Sequence, residues 1–391
     1  MMIVPSPYYY PSTFCTVYDH IDDFDNENTS AKNNKITTTT TTASTTASTL
    51  VNHEKEYYLC PNCDVDDYDD CVCFLINHDD QQGKQQQQQQ QGILTTTTTN
   101  PYYFKVEYLK RIPFRMTSNL WGKIANIKIP ENFRKPIYMT YSKVFGVNVN
   151  EAERPVEEYE SMADFFSRRL KEDARLIDLK HDLVSPVDGT VIYYGKVDNN
   201  SLEQVKGLTY SLEEFLGEKE MAKIKGKNLY HLGIYLSPGD YHGIHSPIDW
   251  SIQERYHFPG YLFPVAKVAV DNIPGLFALN ERVVLSGQWK HGFFSLTPVG
   301  ASNVGSIVMD FDKELSTNNP KDQSNIRKEK SEYYHKSYTS PISSLRGNEV
   351  AFFKMGSTVI LVFEVPQDKQ FDFTIKPGQH LKLGEPVGDL K

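Results

Sequence analysis

Residues 351–366 read AFFKMGSTVILVFEVP, and their pattern decides how the rest of the chain is taken. From Val359 to Val365 the run is apolar, rich in β-branched residues, too short for a buried helix and closed by Pro366, so it reads as a core strand. Val350–Met355 is strand-like as well, which puts Gly356-Ser357 at a sharp link between two extended segments. A glycine at such a link tolerates backbone conformations that a Cβ would forbid. A serine so placed can reach the carbonyl before it, although a Gly-Ser hairpin without chemistry fits the same letters.

Outward from this hairpin the chain stays β-rich. Ser185–Thr190 (SPVDGT) is a turn feeding the apolar run VIYYGKV, and Tyr230–Leu236 is a strand ending at the turn Ser237-Pro-Gly-Asp240. Short apolar runs continue through Gly305–Met309, and Gly378 and Gly384 separate strand-like pieces over Phe371–Val387. Thr317–Ser344 is long, polar and charged, which predicts a surface insertion or mobile linker. Nearer the N-terminus the period changes. Met116–Lys128 (MTSNLWGKIANIK) sets Met116, Leu120, Trp121, Ile124 and Ile127 on one helical face, with Thr117 or Ser118 as cap and Pro130 closing the segment. Lys110, Arg111, Arg115, Lys123 and Lys128 border it, a pattern that suits a helix in a bilayer interface or one packed on its own core. Ser161–Leu170 (SMADFFSRRL) predicts an amphipathic helix with Phe165 and Phe166 inward and Arg168, Arg169 and Lys171 outward. The fold expected is α+β: a β-rich core of short strands with a helical N-terminal layer, preceded by a disordered extension.

That extension, residues 1–104, carries the acidity. Residues 1–100 hold 14 Asp+Glu against 4 Lys+Arg, whereas the remainder holds 50 − 14 = 36 against 41 − 4 = 37. A near-neutral core without a basic groove excludes nucleic acid as the expected partner. Thr37–Thr42, Gln85–Gln91 and Thr95–Thr99 are polar low-complexity tracts, unable to bury enough apolar surface to offset the entropy of ordering. Cys60, Cys63, Cys71 and Cys73 form either an irregular zinc site or an acidic loop with free thiols. All five cysteines precede residue 74, so the rest of the chain has none to cross-link. The first arginine is Arg111, so no standard mitochondrial presequence is visible, and no apolar run is long enough to span a bilayer.

Three patches carry candidate chemistry. Asp188 lies in SPVDGT, where an Asp-Gly turn is the ordinary reading. His242 and His245 lie in Ser237–Pro247 (SPGDYHGIHSP), either as metal ligands or as partners for buried polar groups; without a Glu or Cys to complete a ligand set, no metal is expected. Ser357 is the third. Together they offer a carboxylate, an imidazole and a hydroxyl, the parts of a charge-relay triad.

SPVDGT, DYHGIHSP and MGST, in that order, resemble the phosphatidylserine decarboxylases, pyruvoyl enzymes that cut their own chain at the serine. Val205–Gly217, His257–Val265, Asn280–Leu285 and His291–Ile307 match the same family, so the likeness covers about residues 108–391. It implies a domain over 105–391, cleaved at Gly356-Ser357 into a β chain (1–356) and an α chain (357–391) that stay associated. Asp188, His245 and Ser357 would be the relay for self-cleavage, and Ser357 would become the pyruvoyl group that forms a Schiff base with the substrate. His242 would be the proton donor to substrate. The resemblance also implies phosphatidylserine in membranes as substrate, a mitochondrial inner-membrane location and a homo-oligomer as an option. Ala351-Phe352-Phe353 stands where the family commonly has Gly-Gly before Phe, and Met355 replaces Leu. A lipoyl or biotin carrier would need a lysine at a hairpin tip, and a serine hydrolase a G-x-S-x-G elbow; neither is present around these motifs.

Overall fold

A computed structural model describes residues 106–205, 208–302, 306–324, 326, 333–354 and 358–391. The N-terminal extension with its cysteines, and Met355, Gly356 and Ser357, lie outside the described residues. Four helices come first: α1 (Val106–Leu109), α2 (Phe114–Ala125), α3 (Glu131–Phe145) and α4 (Met162–Phe166). The strands follow as β1 (Leu183–Val184), β2 (Gly189–Lys196), β3 (Ser201–Val205), β4 (Leu208–Ser211), β5 (Leu229–Tyr235), β6 (Gly243–His245), β7 (Trp250–Phe258) and β8 (Arg282–Trp289). The second half holds β9 (Gly292–Val299), β10 (Ile307–Val308), β11 (Tyr334–Ser344), β12 (Glu349–Phe353), β13 (Thr358–Glu364), β14 (Phe371–Phe373), β15 (His380–Leu381) and β16 (Pro386–Leu390). This is an α+β fold.

An eight-stranded antiparallel sheet, ordered β11-β7-β8-β9-β13-β5-β2-β15, forms the centre. Within it β13 pairs with β5 on one side and β9 on the other. Side chains alternate across a strand, so Val359, Leu361 and Phe363 enter one core with Leu232 and Phe294, while Ile360 and Val362 enter another with Phe277 and Val284. Both faces of β13 are covered, which is why its sequence is a continuous apolar run rather than an alternating one. A smaller sheet, β10-β12-β6, lies before it in the path of the chain. The chain therefore leaves one sheet at Phe353 and joins the other at Thr358.

Three expectations are corrected. Thr317–Ser344 is not simply an insertion, because its second half is the long edge strand β11, paired with β7. That strand is mostly exposed and therefore polar, and Pro341 sits in its register break, where no ladder N–H is required. Asp312 ties the region down by accepting from Arg255 (3.0 Å), Lys336 (3.1 Å) and Tyr338 (2.8 Å). Second, α2 begins at Phe114 without a side-chain cap; Thr117 is inside it, and Arg115 is buried against Glu281 at 3.0 Å instead of joining the basic border. Third, α4 stops at Phe166. Ser161 caps it, Phe165 and Phe166 are buried as expected, but Arg168 lies beyond the helix and is buried too.

Truncating Leu361 to Ala leaves a cavity at the middle of the sheet and should lower unfolding stability by roughly 2–5 kcal/mol. The same change at Leu345, which is exposed, should be nearly neutral in the same denaturant titration.

Candidate active site

The SPVDGT turn is fixed from several sides. Ser185 Oγ donates to the Val187 carbonyl at 2.7 Å, and a Cβ on Gly189 would meet the Tyr235 carbonyl at 2.5 Å, so this turn lies directly on β5 only because residue 189 is glycine. Asp188 is buried. Its carboxylate accepts from the Leu383 N–H at 2.8 Å and from Arg175 Nε at 2.9 Å, with a second guanidinium nitrogen on its other oxygen. Arg175 is shared with Glu151 at 2.8 Å. Burial works against the Arg175 charge, but Asp188 and Glu151 outweigh it and hold the guanidinium protonated.

His245 is bound to the same turn by its backbone, N–H to the Pro186 carbonyl at 2.8 Å, and β6 pairs with β12 on its other side. Its Nδ1 faces the Gly347 carbonyl at 2.8 Å and its Nε2 the Tyr241 hydroxyl at 3.0 Å. A carbonyl can only accept, so Nδ1 carries the proton and Nε2 keeps its lone pair. Burial, chiefly, pushes the imidazole below its ordinary range; Arg169 adds to this, while the Gly347 carbonyl and Asp188 oppose it. His245 is a neutral base at pH 7. The orienting acceptor is thus Gly347 and not Asp188, whose oxygens are taken by Arg175 and Leu383. Asp188 acts on His245 through space, as a charge.

His242 is more deeply enclosed. Its Nδ1–H donates to the Asp240 carbonyl at 2.9 Å, its ring lies 4.2 Å from that of Phe166, and Nε2 is buried without a partner among the described residues. Burial pushes its pKa down to about 3, the Asp240 carbonyl resisting and Arg168 assisting. The carbonyl of His242 accepts from the Phe353 N–H at 3.1 Å. Immediately after residues 355–357 in the sequence, Thr358 is fully buried, and its Oγ1 has no partner among the described residues. The SPVDGT turn, both histidines and the ends of β12 and β13 accordingly converge, while Gly356 and Ser357 lie outside the described residues.

Comparisons with known proteins give the family of the chain. The family model for phosphatidylserine decarboxylase matches residues 162–389. The chain is 41% identical over 308 residues to the mitochondrial phosphatidylserine decarboxylase proenzyme of Cricetulus griseus, covering 74% of this chain and 75% of that protein. It is 36% identical over 368 residues to mitochondrial proenzyme 1 of Schizosaccharomyces pombe (74% and 82% covered), and 38% over 347 residues to that of Oryza sativa subsp. japonica (73% and 79%). The chain belongs to the phosphatidylserine decarboxylase family.

Within that family frame, the departures before the serine motif are packing residues. Ala351 and Phe353 are buried on β12, and Phe352 carries the Arg169 guanidinium 5.3 Å from its ring. Arg175, Tyr241 and Gly347 escaped the reading of the sequence, Tyr241 having a signal in its place inside DYHGIHSP, while the helical pattern places Arg168 on an outward face. A buried trio elsewhere, His257, Glu281 and Asp322, brings ligand-type atoms within 4.8 Å of one another. Those atoms are already engaged: Glu281 with His257, Arg115 and the Asn318 N–H, and Asp322 with the Tyr334 hydroxyl.

A histidine whose folded pKa is depressed binds its proton more readily in the unfolded chain, so it contributes stability above pH 6.5 that is lost as pH falls toward the folded value. For His242 that window runs from 6.5 to about 3. Unfolding free energy should therefore drop on acidification with a slope of up to about 1.4 kcal/mol per pH unit from this group. His242→Gln should flatten the slope between pH 6 and 4, which denaturant titrations at several pH values would show.

Proposed function

We propose that this chain decarboxylates phosphatidylserine to phosphatidylethanolamine after cutting itself at Gly356-Ser357. What carries the reading is the meeting of the SPVDGT turn, the DYHGIHSP segment and the two strands that flank residues 355–357, in a chain of this family. In the cut, His245 Nε2 takes the Ser357 hydroxyl proton while the oxygen attacks the Gly356 carbonyl, turning the peptide bond into an ester. Tyr241, whose hydroxyl burial pushes up to about 12, stays protonated and yields its hydrogen bond to Nε2 when the serine takes its place. The Asp188 charge favours the imidazolium that forms. Elimination then releases Gly356 as a carboxylate, and water converts the remaining dehydroalanine to a pyruvoyl terminus with loss of ammonia.

The surroundings fit such a group: among the described residues His242 Nε2 and Thr358 Oγ1 are buried polar atoms with no partner, and Thr358 directly follows the segment that would bear it. The pyruvoyl ketone supplies an electron sink for the carbon that loses carbon dioxide. Phosphatidylserine arrives with an ammonium, which must shed a proton before its nitrogen is nucleophilic. His242 Nε2, with a free lone pair, accepts that proton. Protonated in so apolar a pocket it is a strong acid, and it returns the proton to carbon after decarboxylation. His242 is thus an acceptor first and a donor second.

Access to a diacyl lipid comes from the helical layer. Among the described residues no helix is long and apolar enough to cross a membrane. On α2 and just after it, Met116, Leu120, Trp121, Ile124 and Ile127 are exposed, as are Phe133, Ile137 and Val144 on α3. The opposite side of α2 is fastened by Arg115 to Glu281 and to the Gly260 carbonyl at 2.7 Å. A helix anchored on one side with bare apolar residues on the other suits the surface of a bilayer, with Lys123 and Lys128 each adding about 1 kcal/mol near anionic headgroups. The relatives are named mitochondrial, which favours that compartment.

Purified protein should run as two fragments, the smaller spanning residues 357–391 with a blocked, ketone-bearing terminus by mass spectrometry. Ser357→Ala and His245→Ala should remain whole, whereas His242→Ala should be cut but turn over poorly. An ordinary N-terminal serine on the small fragment would refute the pyruvoyl reading. Asp188→Asn should slow cutting and move its acid limb to lower pH, because the lost charge no longer raises the His245 pKa. Finally, Trp121→Glu with Ile124→Glu should reduce co-sedimentation with anionic vesicles and activity on bilayer substrate, with turnover of a short-chain soluble phosphatidylserine unchanged.

A further inference from the structure

Arg168 has no task in the steps above, yet it is built into the same place. It is 4% exposed, its NH2 donates to the carbonyls of Gly239 (2.8 Å) and Asp240 (3.3 Å), and its Nε and NH1 are enclosed with no acceptor among the described residues. Its charge lies 5.6 Å from the Phe165 ring. Other buried arginines are provided for: Arg115 has Glu281, Arg255 has Asp312, and Arg175 has Asp188 and Glu151. Arg282 spends all three nitrogens on carbonyls. An enclosed guanidinium with open donors and no carboxylate is expensive to keep, and such groups cluster where a ligand completes them.

Its position says which ligand. The Asp240 carbonyl accepts from both Arg168 NH2 and His242 Nδ1, so the two side chains meet at one oxygen, and both have further polar atoms open. Above them lies the end of α3: the Tyr141 hydroxyl donates to the Pro238 carbonyl at 2.8 Å, and a Cβ on Gly239 would meet the Phe145 carbonyl at 1.9 Å. That same helix end exposes Val144 and Phe145. A lipid resting on α3 would have its headgroup beside the loop that Arg168 holds.

We propose that Arg168 binds the phosphodiester of the lipid substrate's headgroup, leaving the serine end toward His242; this rests on the reading of the chain as a phosphatidylserine decarboxylase. The headgroup offers two anions, and the chemistry chooses between them. A cation on the carboxylate would hold the ground state more tightly than the transition state, since that charge departs with carbon dioxide, and would slow the reaction. The phosphodiester keeps its charge throughout, and a guanidinium suits its oxygens. Binding there also offsets the positive charge that depresses His242, making Nε2 a better proton acceptor once substrate is present.

The test compares two soluble substrates on processed full-length protein: a short-chain phosphatidylserine, and an O-alkylserine of matched length that lacks the phosphate. Wild type should favour the first, and Arg168→Gln should raise its KM roughly ten- to hundredfold, the usual worth of a charge-assisted hydrogen bond, with a much smaller change in KM for the O-alkylserine. Arg168→Lys keeps a charge but loses the fork, so its KM should rise less; it carries the test if the Gln variant fails to fold or cut. Dimethyl phosphate should compete with substrate in wild type and lose potency in both variants. A preference that survives in the variants, or an equal loss on both substrates, overturns the assignment. A wild-type protein that neither cuts nor decarboxylates refutes the function reading instead, which keeps the two failures apart.

Discussion

The structure depends on one constraint: β13 needs hydrogen-bonding partners on both edges and apolar cover on both faces. Val359 to Phe363 meets it by sending alternate side chains into two separate cores, and the ladders to β5 and β9 satisfy the backbone between them. The strand before it, β12, belongs to another sheet and is held there by β6 and β10. The described residues before and after 355–357 are thus each held by a different sheet.

Around that connection the polar groups divide into two kinds. Asp188, Arg175 and Glu151 form a satisfied ionic cluster that pins the turn, and His245 has both ring nitrogens engaged. His242, Thr358 and Arg168 each have a buried polar atom with no partner among the described residues. Buried polar groups in folded proteins are overwhelmingly paired, and under the proposed reading substrate would complete this second set, while the first fixes positions beforehand.

Much of this was legible in the sequence, and the rest was hidden for identifiable reasons. Strand β13 could be read because burial on both faces writes a run of Val, Ile, Leu and Phe that no helix of that length would need. Strand β11 could not, since an edge strand with exposed side chains leaves no alternation to detect. Arg168 was misassigned by helical periodicity, which ceased to apply once Ser167 left helical geometry at φ −86° and ψ 23°. Asp188, His242 and His245 stood out by their motifs, but their hydrogen bonds did not. Arg175, 13 residues before Asp188, and Gly347, 102 residues after His245, are brought there by tertiary packing alone. The resemblance named the family correctly while suggesting an Asp–His contact that the structure replaces with a carbonyl.

The placement of β13 also orders events in time. If the chain broke before Ser357, the strand at the middle of the large sheet would pass to the C-terminal piece, separate from the partners on both its edges. Cut before folding, that piece would have to thread between β5 and β9, which would otherwise be free to pair wrongly or aggregate. Folding as one continuous chain avoids that assembly problem, because tethering makes insertion of the strand an intramolecular event. Under the proposed reading the break would therefore be a late act, made by a chain already folded, and the pieces would then be held together by the sheet much as a dovetail holds two boards once the peg is withdrawn.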